Sequence, residues 1–338
     1  MGIHRLMLML VAFLSTLCTA IFAQSGTIIE LGSIHRESVA NGINDQGEVV
    51  GWAEVADDFG RISIHAFKYD GKMNDLGSFG NNSYASGINS AGQVVGAAQL
   101  ADGATHAFLY SDGVMRDLGT LGGFNSFALG ISDAGEIVGQ SDLIRGGRHA
   151  FLFVNGKMKD LGTLGGANSV ATFISKNGMI VGAADVHGGK THAFLYSNGK
   201  MHDLHTTGHS LNSSAFSVNN FGDVVGRFDL AGGNHHACIW SKGTMLDIGT
   251  LPHGRSSIAL GINDSRVIVG HSGNGVADSG DAFLYSNGRL TTIPGLGPHR
   301  VDGFAYGVNR QGQIAGSYLA DDGYSTAFLY TPKRGEHR

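Results

Sequence analysis

The sequence predicts an all-β chain folded as a closed ring of seven four-stranded units, and three observations carry that reading. A short aromatic-rich stretch starts at His65, His106, His149, His192 and His236, and in altered form at Asp281 and Thr326. Its successive starts lie 41, 43, 43, 44, 45 and 45 residues apart, a period that marks a repeat architecture. Each period holds four short apolar segments rich in β-branched and aromatic residues, too short for helices and separated by turn residues. Finally, the chain begins on the second segment type (Ile28 to Leu31) and ends on the first (Ala327 to Tyr330). Four antiparallel strands in about 43 residues are the content of one propeller blade. An open array has no use for permuted ends, whereas a ring that pairs them removes two exposed edges. The expected fold is therefore a seven-bladed β-propeller, closed by three N-terminal strands plus one C-terminal strand.

The second copy serves as the type for the elements. His106 to Tyr110 is the first segment. Asp112-Gly113 then supplies the two positive-φ positions of a type I′ hairpin turn, and Met115 to Leu118 is the second segment. Phe127 to Ile131 is the third and Glu136 to Gln140 the fourth, with the compact turn Asp133-Ala134-Gly135 between them. The Gly-Ile-Asn type of third segment occurs seven times, at Ile43, Ile88, Ile131, Ile174, Val218, Ile262 and Val308. The Val-Val-Gly type of fourth segment also occurs seven times, at Gly51, Gly96, Gly139, Gly182, Gly226, Gly270 and Gly316.

Composition agrees. The 54 glycines, against 4 prolines, follow the period and read as turns, and 42% hydrophobic residues suffice for a core. A formal net charge of −5 with no basic stripe argues against nucleic acid as a partner. Residues 1–23 read as a secretory signal peptide: Arg5, an apolar run from Leu6 to Leu14, then small residues to Ala23, with cleavage before Gln24. No later stretch approaches the roughly 18 apolar residues of a spanning helix. The expectation is a secreted or periplasmic monomer, with residues 24–330 as one propeller and 331–338 as a polar tail. Cys238 is the only cysteine left in the mature chain, which excludes an internal disulfide; it reads as a small buried hydrophobe.

The His-Ala-Phe start, the stretch Asp160-Leu161-Gly162-Thr163-Leu164-Gly165-Gly166 and Gly42-Ile43-Asn44-Asp45 resemble the bacterial extracellular HAF-repeat family. The resemblance covers nearly all of the mature chain, and the last two copies depart from it with Asp281-Ala282-Phe283 and Thr326-Ala327-Phe328. It implies export and a repeated β-fold, and no catalytic residue.

Five first-segment histidines recur with an aspartate in the second segment: His65 with Asp75, His106 with Asp117, His149 with Asp160, His192 with Asp203 and His236 with Asp247. Where the histidine is lost the aspartate is lost too, as Asp281 with Thr292 and, across the closure, Thr326 with Glu30. Hairpin register puts Phe108 opposite Asp117 and leaves His106 and Asp117 diagonal neighbours on one face. Two roles stand open. One is a structural, buried hydrogen bond that satisfies polar groups between blades, once per blade. The other is a ring of metal ligands, which must converge to about 2 Å from one ion. Equivalent positions on neighbouring blades lie too far apart for that unless they line the axis, so structural pairs are expected, with no metal and no cofactor.

Function in a symmetric scaffold belongs where symmetry breaks. The connection between second and third segments is small and bland in three consecutive copies: Gly80-Asn81-Asn82, Gly122-Gly123-Phe124 and Gly165-Gly166-Ala167. In the other four it carries His205 and His209, His253 and Arg255, His299 and Arg300, and His35 and Arg36. In a closed ring these four are adjacent and emerge on one rim, with Asp302 and Tyr306 nearby. Such a crescent suits an acidic or hydroxyl-rich ligand; the competing reading is ordinary solvated loop residues. The sequence thus points to a binding module for an extracytoplasmic glycan or protein. The alternative is a propeller-type hydrolase or lyase using the rim or the central channel, but no single Ser or Cys nucleophile stands out. A purely structural envelope component would instead self-associate.

Overall fold

A computed structural model describes residues 26–205, 212–274, 280–296 and 301–333. They form seven four-stranded antiparallel sheets with no helix among the described residues. Each innermost strand touches the next, and the last touches the first, so the chain is a seven-bladed β-propeller. In every blade the Gly-Ile-Asn segment is innermost, followed outward by the Val-Val-Gly, His-Ala-Phe and Asp-Leu-Gly segments. The third blade shows the pattern: Gly122–Ile131, Ile137–Leu143, Arg148–Val154 and Lys157–Asp160. Its neighbour's hairpin turn has φ 55 at Asp112 and φ 77 at Gly113, and Phe108 faces Asp117.

The ring is closed by joining the two ends, but the division of strands is the reverse of the expected one. Val301–Val308, Ile314–Leu319 and Ser325–Pro332 supply three strands of the seventh blade, and the N-terminus adds only Gly26–Glu30, the outermost. Gly26 to Glu30 pair with Pro332 to Phe328, and the Leu31 N–H donates to Ala327 O at 2.9 Å. The physical reason is phase. A periodic sequence has no marked start, and the blade begins at the strand that lines the axis, two segments after the His-Ala-Phe start.

The core lies between blades. One cluster joins Val138 and Ala150 of the third blade to Ala171, Ile174, Ile180 and Phe194 of the fourth. The phenylalanine of each His-Ala-Phe unit (Phe67, Phe108, Phe151, Phe194) is fully buried there. Cys238 replaces it in the fifth blade, buried in a cluster with Phe228 and Trp240. A serine clip ties six of the seven such layers, the boundary between the sixth and seventh blades having Gly303 beside Ala282 instead. Ser126 at the start of an inner strand accepts the N–H of Ala107 in the preceding blade (2.9 Å) and donates to Gly119 O (2.6 Å). Ser83, Ser169, Ser213 and Ser257 repeat the acceptance from Ala66, Ala150, Ala193 and Ala237. Each clip satisfies a buried backbone donor that no sheet ladder reaches.

The Val-Val-Gly glycine has its own cause. Each inner strand is bulged, as between Ala128 and Gly130, and the bulge drives a carbonyl toward the second strand. A Cβ on Gly139 would lie 1.9 Å from Phe127 O. In the turn after the inner strand, by contrast, six copies place Gly at positive φ and the sixth blade places Arg266, at φ 58. Arg266 grips Asp223 of the fifth blade with two nitrogens, at 2.8 and 2.6 Å. This grip, helped by Ser241 and Asn219, holds the buried Asp223 carboxyl down at about 2 although burial alone would raise it. A depressed carboxyl stabilises above its ordinary value of 3.8, and that contribution is lost as pH falls through about 2. An Arg266→Gly variant keeps the turn geometry and loses the ion pair. It is expected to be less stable at neutral pH, the lost ion pair outweighing the relief of left-handed backbone strain at position 266. The deficit disappears at the acid end, and denaturation curves across pH check the crossing.

Candidate functional site

The five histidine–aspartate pairs sit on the outer hairpin of their own blades, not between blades. His106 Nδ1 lies 2.8 Å from Asp117, and His65, His149, His192 and His236 lie 2.8–2.9 Å from their aspartates. They are partly exposed rather than buried: the histidine side chains keep 14–23% of their surface and the aspartates 36–44%. Each aspartate is also a turn cap, as Asp117 accepting the Gly119 N–H at 2.7 Å. In the seventh blade Glu30 takes the aspartate's place and Tyr318 donates its hydroxyl to it at 2.5 Å. With one pair on each of five blades, the histidines do not converge. Among the described residues no group of three or more His, Cys, Asp or Glu side chains is placed to hold a metal.

The rim residues engage local partners. Arg36 donates to the Tyr324 hydroxyl (3.1 Å) and lies over its ring. His205 stacks on His192 with ring centres 4.1 Å apart. Burial, reinforced by His192, lowers the pKa of His205 and favours the neutral imidazole. His35, His253 and Arg255 are exposed. Asp302 accepts the Gly280 N–H across the blade boundary. His209, His299 and Arg300 lie outside the described residues, as does the N-terminal apolar segment.

One connection that read as bland, Gly122-Gly123-Phe124, instead lines a cleft of about 950 Å³ between the third and fourth blades. Its origin is local. Inner strands Gly122–Ile131 and Gly165–Ile174 start four residues early, and Gly123 and Gly166 lie so close to Asp142 and Asp185 that a Cβ would come within 2.5 and 2.4 Å. Glycine at both positions lets the lengthened inner strand press against the second strand of its blade. Asp142 accepts from Asn125 Nδ2 (2.8 Å) and Arg148 Nε (2.8 Å), and Asp185 accepts from Asn168 Nδ2 (2.9 Å) and Thr191 Oγ1 (2.9 Å). Burial works to raise Asp142, but Arg148 and Asn125 hold it below the usual carboxylate range. Arg148 also lies over the Phe127 ring at 5.6 Å. Phe124 and Ile144 stand exposed at the edge, 57% and 78%. The signal in the sequence was the twin Gly-Gly-x-Asn-Ser run, each followed by an aspartate.

The second cavity is the axial channel, about 470 Å³, lined by the seven inner strands. Its inner-strand lining includes Leu129, Phe216, Leu260 and Tyr306 together with the polar Asn41 and Ser86. Below them a ring of turns carries Asp45, Asp133, Lys176, Asn220, Asp264 and Arg310. Lys176 of the fourth blade reaches across the axis to Asp45 of the first (3.0 Å) and also meets Asp133 of the third (2.9 Å). Arg310 lies 3.5 Å from Asp45 and 3.9 Å from Asp264. Burial works against the charge on Lys176, but Asp133 and Asp45 raise its pKa above the usual value.

No protein-family model matches the chain, and no curated protein matches it in sequence. Among solved structures it is similar to TolB from Acinetobacter baumannii, with 14% identity, a TM-score of 0.50, and coverage of 86% of this chain and 65% of that one. It is also similar to a puromycin hydrolase, with 13% identity, a TM-score of 0.54, and coverage of 84% of this chain and 50% of that one. The chain thus spans about two thirds and one half of the length of these two proteins. At such identities the likeness concerns the propeller fold alone.

Proposed function

We propose that the protein is an exported HAF-repeat binding module whose ligand, a hydroxyl-rich or acidic glycan or protein segment, sits in the cleft between the third and fourth blades. The observation that supports this most is the cleft itself. It combines an exposed apolar edge at Phe124 and Ile144, donors and acceptors at Asn168, Asp185 and Thr191, and the Arg148 guanidinium, a mix suited to polyhydroxylated surfaces. Loops on a rigid propeller are a usual carrier of binding. A hydrolase or lyase is the second reading. Against it, the cleft's acids are occupied in ion pairs and hydrogen bonds, and Asp142 is held ionised at neutral pH, an anchor rather than a proton donor.

A glycan array and a secretome pull-down identify the ligand, and titration calorimetry then places it. Arg148→Ala and Phe124→Ala are each expected to weaken binding about tenfold, the cost of one desolvated anchor, while Arg255→Ala with Arg300→Ala leaves it unchanged. The reverse pattern moves the site to the histidine–arginine crescent.

A further inference from the structure

The two acids of the cleft between the third and fourth blades are already engaged at every oxygen. Asp142 Oδ1 accepts from Arg148 Nε at 2.8 Å, and its Oδ2 accepts from the Asn125 N–H and Nδ2 at 3.1 and 2.8 Å. Asp185 Oδ2 accepts from the Asn168 N–H and Nδ2 at 3.1 and 2.9 Å, and its Oδ1 from Thr191 Oγ1 at 2.9 Å. The strongest donor is not fully engaged. Asp142 takes only the Nε side of the Arg148 guanidinium, and no described residue bonds its Nη1 or Nη2. That side chain lines the cleft, keeps 41% of its surface and is braced over the Phe127 ring. An arginine held at Nε presents its two terminal nitrogens as a fork that matches the two oxygens of a carboxylate. The Gln140 amide lines the same cleft and has no partner among the described residues.

Charge at the mouth breaks the symmetry in the same direction. The loop between second and third strands carries acids in the first, second and seventh blades: Asp57 and Asp58, Asp102, and Asp321 and Asp322. In the third and fourth blades it carries none. Residues 143–147 hold Arg145, and residues 186–190 hold His187 and Lys190, all three exposed. The first of these loops lines the cleft, and the second runs between Asp185 and Thr191, which also line it. Acid-free cationic loops steer anions toward the fork.

Resting on the cleft as the functional site, we propose that its ligand is a glycan built of uronic acids. One sugar carboxylate accepts from both terminal nitrogens of Arg148, and a ring hydroxyl meets the Gln140 amide. The C–H face of a sugar ring lies on the exposed Phe124 ring. An acidic peptide satisfies the fork but offers no such face.

Calorimetry on the full protein with trigalacturonate and trimannuronate, with the methyl esters of both, and with hexaglutamate tests it. At least one acid is expected to bind saturably at one site per chain. Its ester is expected to bind about tenfold more weakly, one charge-assisted pair being lost, and hexaglutamate at least about tenfold more weakly. Arg148→Lys keeps the charge, loses the fork and weakens the acid about tenfold. Gln140→Ala weakens it about threefold. Arg145→Ala with Lys190→Ala flattens the salt dependence of acid binding. The carboxylate assignment is overturned if neither acid binds, if the ester or hexaglutamate matches the acid, or if an Arg148→Lys variant that melts like the parent also binds like it. In any of these cases Phe124→Ala, measured with the ligand found on the glycan array, decides the cleft separately. A loss of affinity there keeps the cleft and removes only the carboxylate, and an unchanged affinity overturns both.

Discussion

Removing residues 26–31 strips the outermost strand that latches the ring and is expected to cost about 5 kcal/mol, a third or more of what holds a typical domain folded. The estimate is built from parts. Leu31 is buried at 6% exposure and Ile28 packs on the core of the seventh blade; deletion of a buried leucine side chain alone costs about 2–5 kcal/mol. The Tyr318–Glu30 hydrogen bond adds about 1 kcal/mol. The loss also bares the full edge of Ser325–Pro332, a strand whose residues Ala327 to Tyr330 are almost wholly buried in the intact ring. Such an edge pairs with the next molecule. The shortened protein is therefore expected to unfold at markedly lower denaturant and to run as oligomers by size exclusion with light scattering. A monomer with the parent midpoint would show that closure rests on the first three strands of the seventh blade alone.

Gly139→Ala is the second large effect, and it is large because the added carbon has nowhere to go. Its neighbours are the Phe127 carbonyl oxygen at 1.9 Å and Ala128 Cα at 3.0 Å, both backbone, so no rotamer change relieves the contact. The second strand must move off the inner strand, or the bulge must be lost and every inner side chain beyond it changes face. Overpacking of this kind costs about 3 kcal/mol or more, seen as a melting point lowered by roughly 6–10 °C. The matching change at Gly113, in an exposed hairpin turn with no atom near the new carbon, meets only its positive φ and should cost about 1 kcal/mol. If the two variants melt alike, the steric account of the Val-Val-Gly unit is wrong.

These cases show what a sequence of this kind displays. Local periodicity is written plainly: strand lengths, the Asp112-Gly113 turn and the juxtaposition of His106 with Asp117 all follow from alternation and a two-residue loop. Phase is not, because a circular pattern reads the same from any starting segment, and so the N-terminus proved to supply one strand where three were expected. The cleft was hidden for another reason. It is lined by Gly123, which has no side chain, and by Asp142 and Asp185, acids that become neighbours of the inner strands only when the sheet pairs. The floor of the channel was equally silent, since nothing in Lys176 or Asp45 alone announces that they meet across an axis.

The serine clips have a temporal consequence. Each hydroxyl reaches back toward the blade made before it, as Ser126 does to Ala107 and Ser257 to Ala237. In these five cases the docking partner precedes the serine in the chain, so accretion from the N-terminal side finds it already in place. Ser38 alone must wait, for its donor is the N–H of Ala327, at the opposite end of the polypeptide. Five rungs join blades that are consecutive in the chain, and the sixth forms only when the C-terminal strand is present.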